Sequence, residues 1–167
     1  MAMDLRDYFH RRCSEALVME RDIWQLSSLM GQECWHAELK RFFERHNDPK
    51  RQQISNLEQI VDELGGILGP LDHPVTQAIR RLHRQFLETN PPQALIEVNN
   101  ALEADKAIHL ELAIFAGLIE LADELGEEGF TRLLAQDRQI EEEMRAALAA
   151  VLPGVLHDFG DQLRHAA

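Results

Sequence analysis

Two cysteines in 167 residues, Cys13 and Cys34, are too few for a disulfide framework and lie too far apart for a Cys-x-x-Cys motif. They read as small core residues. No apolar run reaches the ~20 residues a membrane-spanning helix needs. The longest, around residues 110–125, is broken by Glu111, Glu120, Asp123 and Glu124. Positive charge is scarce, with Lys+Arg 17 against Asp+Glu 29 and a formal net charge of -12. Such a surface repels phosphate backbones and anionic headgroups, so neither nucleic acid nor membrane is an expected partner. The first twelve residues carry Asp4, Arg6, Asp7, Arg11 and Arg12 without an apolar stretch, which is not a signal peptide and points to the cytoplasm. Also missing are a nucleophile constellation, a glycine-rich phosphate loop, a zinc pattern and any strand-like alternation.

What is present is helical periodicity, in a chain 45% apolar and 28% charged and long enough for one domain with a real core. Asp4 caps a first helix whose stripe runs Leu5, Phe9, Cys13, Ala16, Leu17, Ile23, Trp24 and Met30, with Gly31 ending or bending it. A second pattern passes Leu39, Phe42, Phe43, His46, Ile54, Leu57 and Ile60 and closes at Gly65-Gly66. Asn47-Asp48-Pro49 disturbs that pattern, as a kink or as a fresh start with Asp48 as N-cap. A loop and a short helix, about 75–89, precede Asn90-Pro91-Pro92 and a long helix stopped by Gly126. A fourth main helix shows Phe130, Leu133, Leu134, Ile140, Met144, Leu148 and Val151 and is expected to end at Pro153-Gly154. Two long helices, a crossing segment with its own short helix, then two more long helices describe an all-α ferritin-like four-helix bundle with one long crossover. Residues 1–151 form the bundle and 152–167 a C-terminal tail, either irregular or a short helix.

Polar residues on core-facing stripes carry the functional information. Glu20 sits between Ala16-Leu17 and Ile23-Trp24, and Glu111 among Ala107, Ile108, Ile114 and Phe115. A carboxylate in such surroundings costs several kcal/mol unless it is protonated, paired or metal-bound. Glu141 lies between Leu134 and Leu148 beside Met144, though its neighbours Asp137, Arg138 and Arg145 make it less clearly inward. His46 follows Phe42 and Phe43, with Gln53 two turns on. Glu20, His46, Glu111 and Glu141 thus offer one inward candidate from each of four helices, the way bundle-core metal sites are assembled. Pairing with an arginine, or a hydrogen bond from a tryptophan or tyrosine, satisfies a buried glutamate equally well. Asp105 and His109, one turn apart, form at most a surface pair.

Asp4-Leu5-Arg6-Asp7-Tyr8-Phe9 and the segment around Glu20 resemble the first helix of the YciE/YciF-type stress-associated ferritin-like proteins. Phe43 to Gly65 resembles their second helix, and Glu111 to Gly126, on through Leu133-Leu134 to Glu141-Glu142, matches most firmly. The resemblance implies a di-metal carboxylate centre, dimerisation and a stress-linked role. By position, Glu20, Glu111 and Glu141 fall on the family's inward carboxylates and Gln53 on a recurrent glutamine. The departures are equally specific. Asp48 and Pro49 stand where a glutamate pair is expected, Ile108 replaces another inward glutamate, and Glu141-x-x-Met144 replaces Glu-x-x-His. Against the roughly six ligands of a di-iron centre about half remain. The expectation is a non-enzymatic homodimer holding no ion, or one weakly bound divalent ion such as iron or manganese. The alternative is a di-iron or di-manganese oxidase or ferroxidase with an atypical ligand set.

Overall fold

A computed structural model describes residues 3–166, with side chains described as far as residue 161. All elements among these residues are helical: α1 (Leu5–Glu33), α2 (Ala37–Arg45), α3 (Asn47–Glu63), α4 (Pro74–Glu88), α5 (Gln93–Glu124) and α6 (Glu128–Ala166). Asp4 opens α1 with a reciprocal capping box to Asp7. The α1 helix runs past Gly31 to Glu33, so Gly31 neither ends it nor serves as its cap. Its role is close approach, since a Cβ there would sit 2.9 Å from the Cβ of Phe43 on α2. The second pattern divides at His46, which ends α2 and starts α3. The restart falls two residues earlier than an Asp48 cap would put it, with His46 at the N-cap position. Pro49 lies in the first turn of α3, where the backbone N–H groups lack intrahelical partners and proline is tolerated. Gly65 and Gly126, with φ of 112° and 70°, close α3 and α5, and Gly66 and Glu127 donate back to Val61 and Ala122.

The α6 helix does not stop at Pro153. It continues to Ala166, and Val155 is buried while Phe159 packs onto the same cluster, so the start of the expected tail is part of the packed body. Proline's missing donor and ring clash are outweighed there by apolar residues that keep helical spacing beyond it. Ala167 and the side chains from 162 onward lie outside the described residues.

The α5 and α6 helices form a hairpin, α1 packs on α3 and α5, and α3 packs on α6, closing a four-membered ring of long helices. The crossover helix α4 lies against α1 through polar anchors. Arg80 pairs with Asp22 at 3.2 Å, Thr76 donates to the same carboxylate, and His83 meets Glu33 at 3.1 Å. Inside the ring the apolar core is split. One cluster holds Phe9, Cys13, Leu17, Leu57, Ile60, Phe115, Phe130 and Leu134, and the other Met30, Leu39, Phe42, Ala101, Ile108, Met144 and Leu148. Between them, along every main helix, lies a layer of buried polar side chains.

Candidate functional site

That layer is built from Glu20 on α1, Lys50 and Gln53 on α3, Glu111 on α5, and Asp137 and Glu141 on α6, none more than 2% exposed. Each sits at a helix position where an apolar residue would otherwise continue the stripe, so the fold delivers all six to one level of the core.

The centre is an ammonium group. Lys50 Nζ is 2.5 Å from Glu141 Oε1 and 3.2 Å from Glu20 Oε2, and donates a shorter bond to Glu111 Oε1. Its three N–H donors therefore meet three carboxylates from three different helices, which uses the full capacity of the group. Gln53 Nε2 donates to Glu141 Oε1 at 2.8 Å and to the backbone carbonyl of Asp137 at 2.9 Å. Asn56 Nδ2 donates to Asp137 Oδ1 at 2.6 Å. The network thus ties α3 to α6 through Lys50, Gln53 and Asn56 and gathers α1 and α5 through Lys50.

Three carboxyls around one cation leave an excess of negative charge in a dry interior, and protons must offset it. Burial raises the Glu111 pKa well above its ordinary value, with Glu141 and Glu20 adding repulsion and Lys50 opposing them. Burial also raises Glu20, while the Lys50 charge favours its ionised form. For both carboxyls burial therefore favours the neutral form, more strongly for Glu111 than for Glu20. Asp137 is pushed up to about 8, chiefly by burial, with the Asn56 hydrogen bond opposing. Lys50 stays charged. Burial acts against its charge, but Glu111, Glu20 and Glu141 together carry its pKa well above the usual lysine value.

Of the four residues singled out as candidate ligands, Glu20, Glu111 and Glu141 come together, each offering an oxygen within 4.8 Å of the others. His46 stands apart from that group. Its Nδ1 is 2.6 Å from the carbonyl of Phe42, its ring lies 4.5 Å from that of Phe42, and burial lowers its pKa. It borders the cavity beside the cluster without joining the ion-pair network. Asp105 and His109 form a one-turn pair on the exposed face of α5. Lys50, Asp137 and Asn56 are not among the residues that sequence reasoning singles out. Lys50 lies four residues after His46 and three before Gln53, the spacing of the same stripe, and that spacing is the signal for it.

Two metal ions do not fit this centre as built. Carboxylate oxygens hold divalent ions at about 2.0–2.6 Å. An ion on these three oxygens would fall almost on Nζ, against a like charge in a low-dielectric core. The cavity alongside, bordered by Ile23, Phe42, His46, Ile108, Glu111 and Met144, measures about 20 Å³, room for one water molecule.

Comparison with solved structures gives the same architecture. The E. coli stress protein YciF superposes with a TM-score of 0.83 at 16% identity, over 93% of this chain and 99% of that one. YcfI of Rhodopseudomonas palustris, provisionally labelled a structural protein, gives 0.80 at 18% identity, over 87% and 93%. A protein of Xanthomonas campestris pv. campestris gives 0.80 at 19% identity, over 96% and 99%. No curated protein matches the chain. The family model described as Domain of unknown function (DUF892) matches residues 4–159, nearly the whole bundle, and the chain belongs to that family.

Proposed function

We propose that this chain works as a non-enzymatic, dimeric bundle protein with a stress-associated role, its polar layer closed on Lys50 in place of a pair of metal ions. One observation carries the reading. The three glutamates that a di-metal centre would use direct an oxygen each at the Lys50 ammonium. The water-sized cavity beside them supports it, because a substrate has no space there. The likeness in fold to a stress protein and to one provisionally labelled structural agrees with such a role. A dimer is supported by apolar side chains left on the surface, among them Trp35 at 78% exposed, Leu71 at 76% and Leu82 at 62%. Trp24 does not belong to that set, being half-buried under the Arg51 guanidinium.

Anaerobic titration with Fe(II), followed by oxygen, tests the reading against a ferroxidase. The expected outcome is no stoichiometric binding and no oxo-ferric absorption in the near ultraviolet. Two equivalents per chain with rapid colour would overturn it. Light scattering at micromolar concentration should give twice the 19.2 kDa chain mass.

A further inference from the structure

The polar layer is a cation site with the cation covalently attached. We propose that the Lys50 ammonium takes the place of a single divalent ion among Glu20, Glu111 and Glu141, so that the intact chain excludes metal at this layer and a chain lacking the amine admits one. This rests on the non-enzymatic reading and goes further, because it assigns the exclusion to one side chain and holds the remaining donor set competent.

Three features of the site point this way. One carboxylate oxygen from each of the three glutamates lies within 4.8 Å of the other two, a span that one ion with ligands at about 2.0–2.5 Å can bridge. Secondly, the layer has acceptor capacity that an ammonium cannot use. Glu20 Oε1, Glu111 Oε2, Glu141 Oε2 and Gln53 Oε1 are buried without hydrogen-bond partners. The three protons of Lys50 are already committed, whereas an ion coordinates six or more oxygens and brings water of its own. Lastly, the cavity beside Lys50 and Glu111 has the volume of one water and would merge with the space the lysine stem vacates. Glu141 is also held independently of the lysine, by Gln53.

The test uses cobalt(II) chloride as probe on the full chain, with visible absorption and thermal melting as readouts. Wild type should show no stoichiometric uptake and no rise in Tm. Lys50→Ala should melt lower than wild type, take up one equivalent of Co(II) with d–d bands, and regain Tm on doing so. Adding Glu111→Gln to that variant should weaken binding by at least about tenfold, because one of three charged ligands is lost. Lys50→Met refills the space with an apolar stem and should take up no ion. Equal uptake by the Met and Ala variants would place the ion elsewhere and overturn the proposal. A folded Lys50→Ala that ignores Co(II) would overturn it too, while leaving the non-enzymatic reading intact. If Lys50→Ala is unfolded as isolated, it is refolded with and without Co(II). Helical circular dichroism recovered only with the ion supports the proposal, and no recovery overturns it. Uptake of one equivalent by wild type, abolished by Glu111→Gln, would overturn the exclusion and count against the non-enzymatic reading as well.

Discussion

At the residue scale, Lys50 and Glu111 are neighbours with opposite tolerance to change. Removing the amine strands two or three carboxyls in a dry core, and breaking a buried ion pair from one side costs about 3–5 kcal/mol. Lys50→Met, which keeps the stem's volume, should lose that much in urea denaturation. Burial raises the Glu111 pKa well above its ordinary value and so favours its neutral form, which Glu111→Gln mimics. It should change stability by less than about 1 kcal/mol. A large loss in Glu111→Gln would show that its full charge is required. Two of the carboxylates are legible in the amino-acid sequence, because Glu20 and Glu111 interrupt apolar stripes at one-turn spacing. Lys50 is not, since a lysine is no ordinary metal ligand and Pro49 beside it suggests a broken helix. Asp137 is hidden by the charged residues around it, although Phe130, Leu134, Asp137, Glu141, Met144 and Leu148 follow one four-three spacing along α6. Both thiols answer to the simple reading. Cys13 and Cys34 are buried and free, and burial pushes each pKa up to about 12, which keeps them unreactive.

At the scale of the elements, four long helices and the crossover with its short helix follow from periodicity and punctuation. Gly65 and Gly126 stop their helices as glycine in a left-handed cap should. Gly31 and Pro153 mislead because their local chemistry argues for an ending, while tertiary contacts decide otherwise. Val155 continues the apolar stripe beyond the proline, and Gly31 admits Phe43 against the α1 backbone. Two glycines inside helices therefore respond oppositely to the same substitution. Gly117 has open space around its would-be Cβ, so Gly117→Ala should stabilise by ~0.5–1 kcal/mol through helix propensity alone. Gly31→Ala gains the same propensity, yet its Cβ would press on the first side-chain carbon of Phe43, which cannot swing away. Overpacking at that contact costs about 1–3 kcal/mol, so the net effect should be a loss. Chemical denaturation of the two variants against wild type gives the comparison directly; equal shifts would mean α2 moves freely on α1.

For the whole molecule, the polar layer ties global stability to pH. The two apolar clusters lie on either side of it, so global unfolding exposes these carboxyls to water. In the unfolded chain each titrates near 4. In the folded chain Asp137 holds its proton to about 8, and Glu111 and Glu20 are likewise raised. A group whose folded pKa is raised keeps its proton where the unfolded chain has lost it. Its contribution is complete below the unfolded pKa and disappears as pH rises through the folded one. Lys50 adds no slope in this window, because its pKa is raised further above neutrality. Stability should therefore fall as pH climbs from about 5 to 8, each retained proton contributing up to ~1.4 kcal/mol per pH unit. Asp137→Asn isolates one of them. The amide cannot lose a proton, so the slope of unfolding free energy against pH should flatten by about one proton between 5 and 8, with the difference vanishing above 8. Asparagine also puts an amide where Oδ1 accepts from Asn56, so the variant's absolute stability is a less informative number than its slope. Urea denaturation followed by circular dichroism at several pH values measures both. A wild-type curve that stays level or rises over this interval, or an Asp137→Asn slope identical to wild type, would show that the layer carries its charges unprotonated and is neutralised some other way.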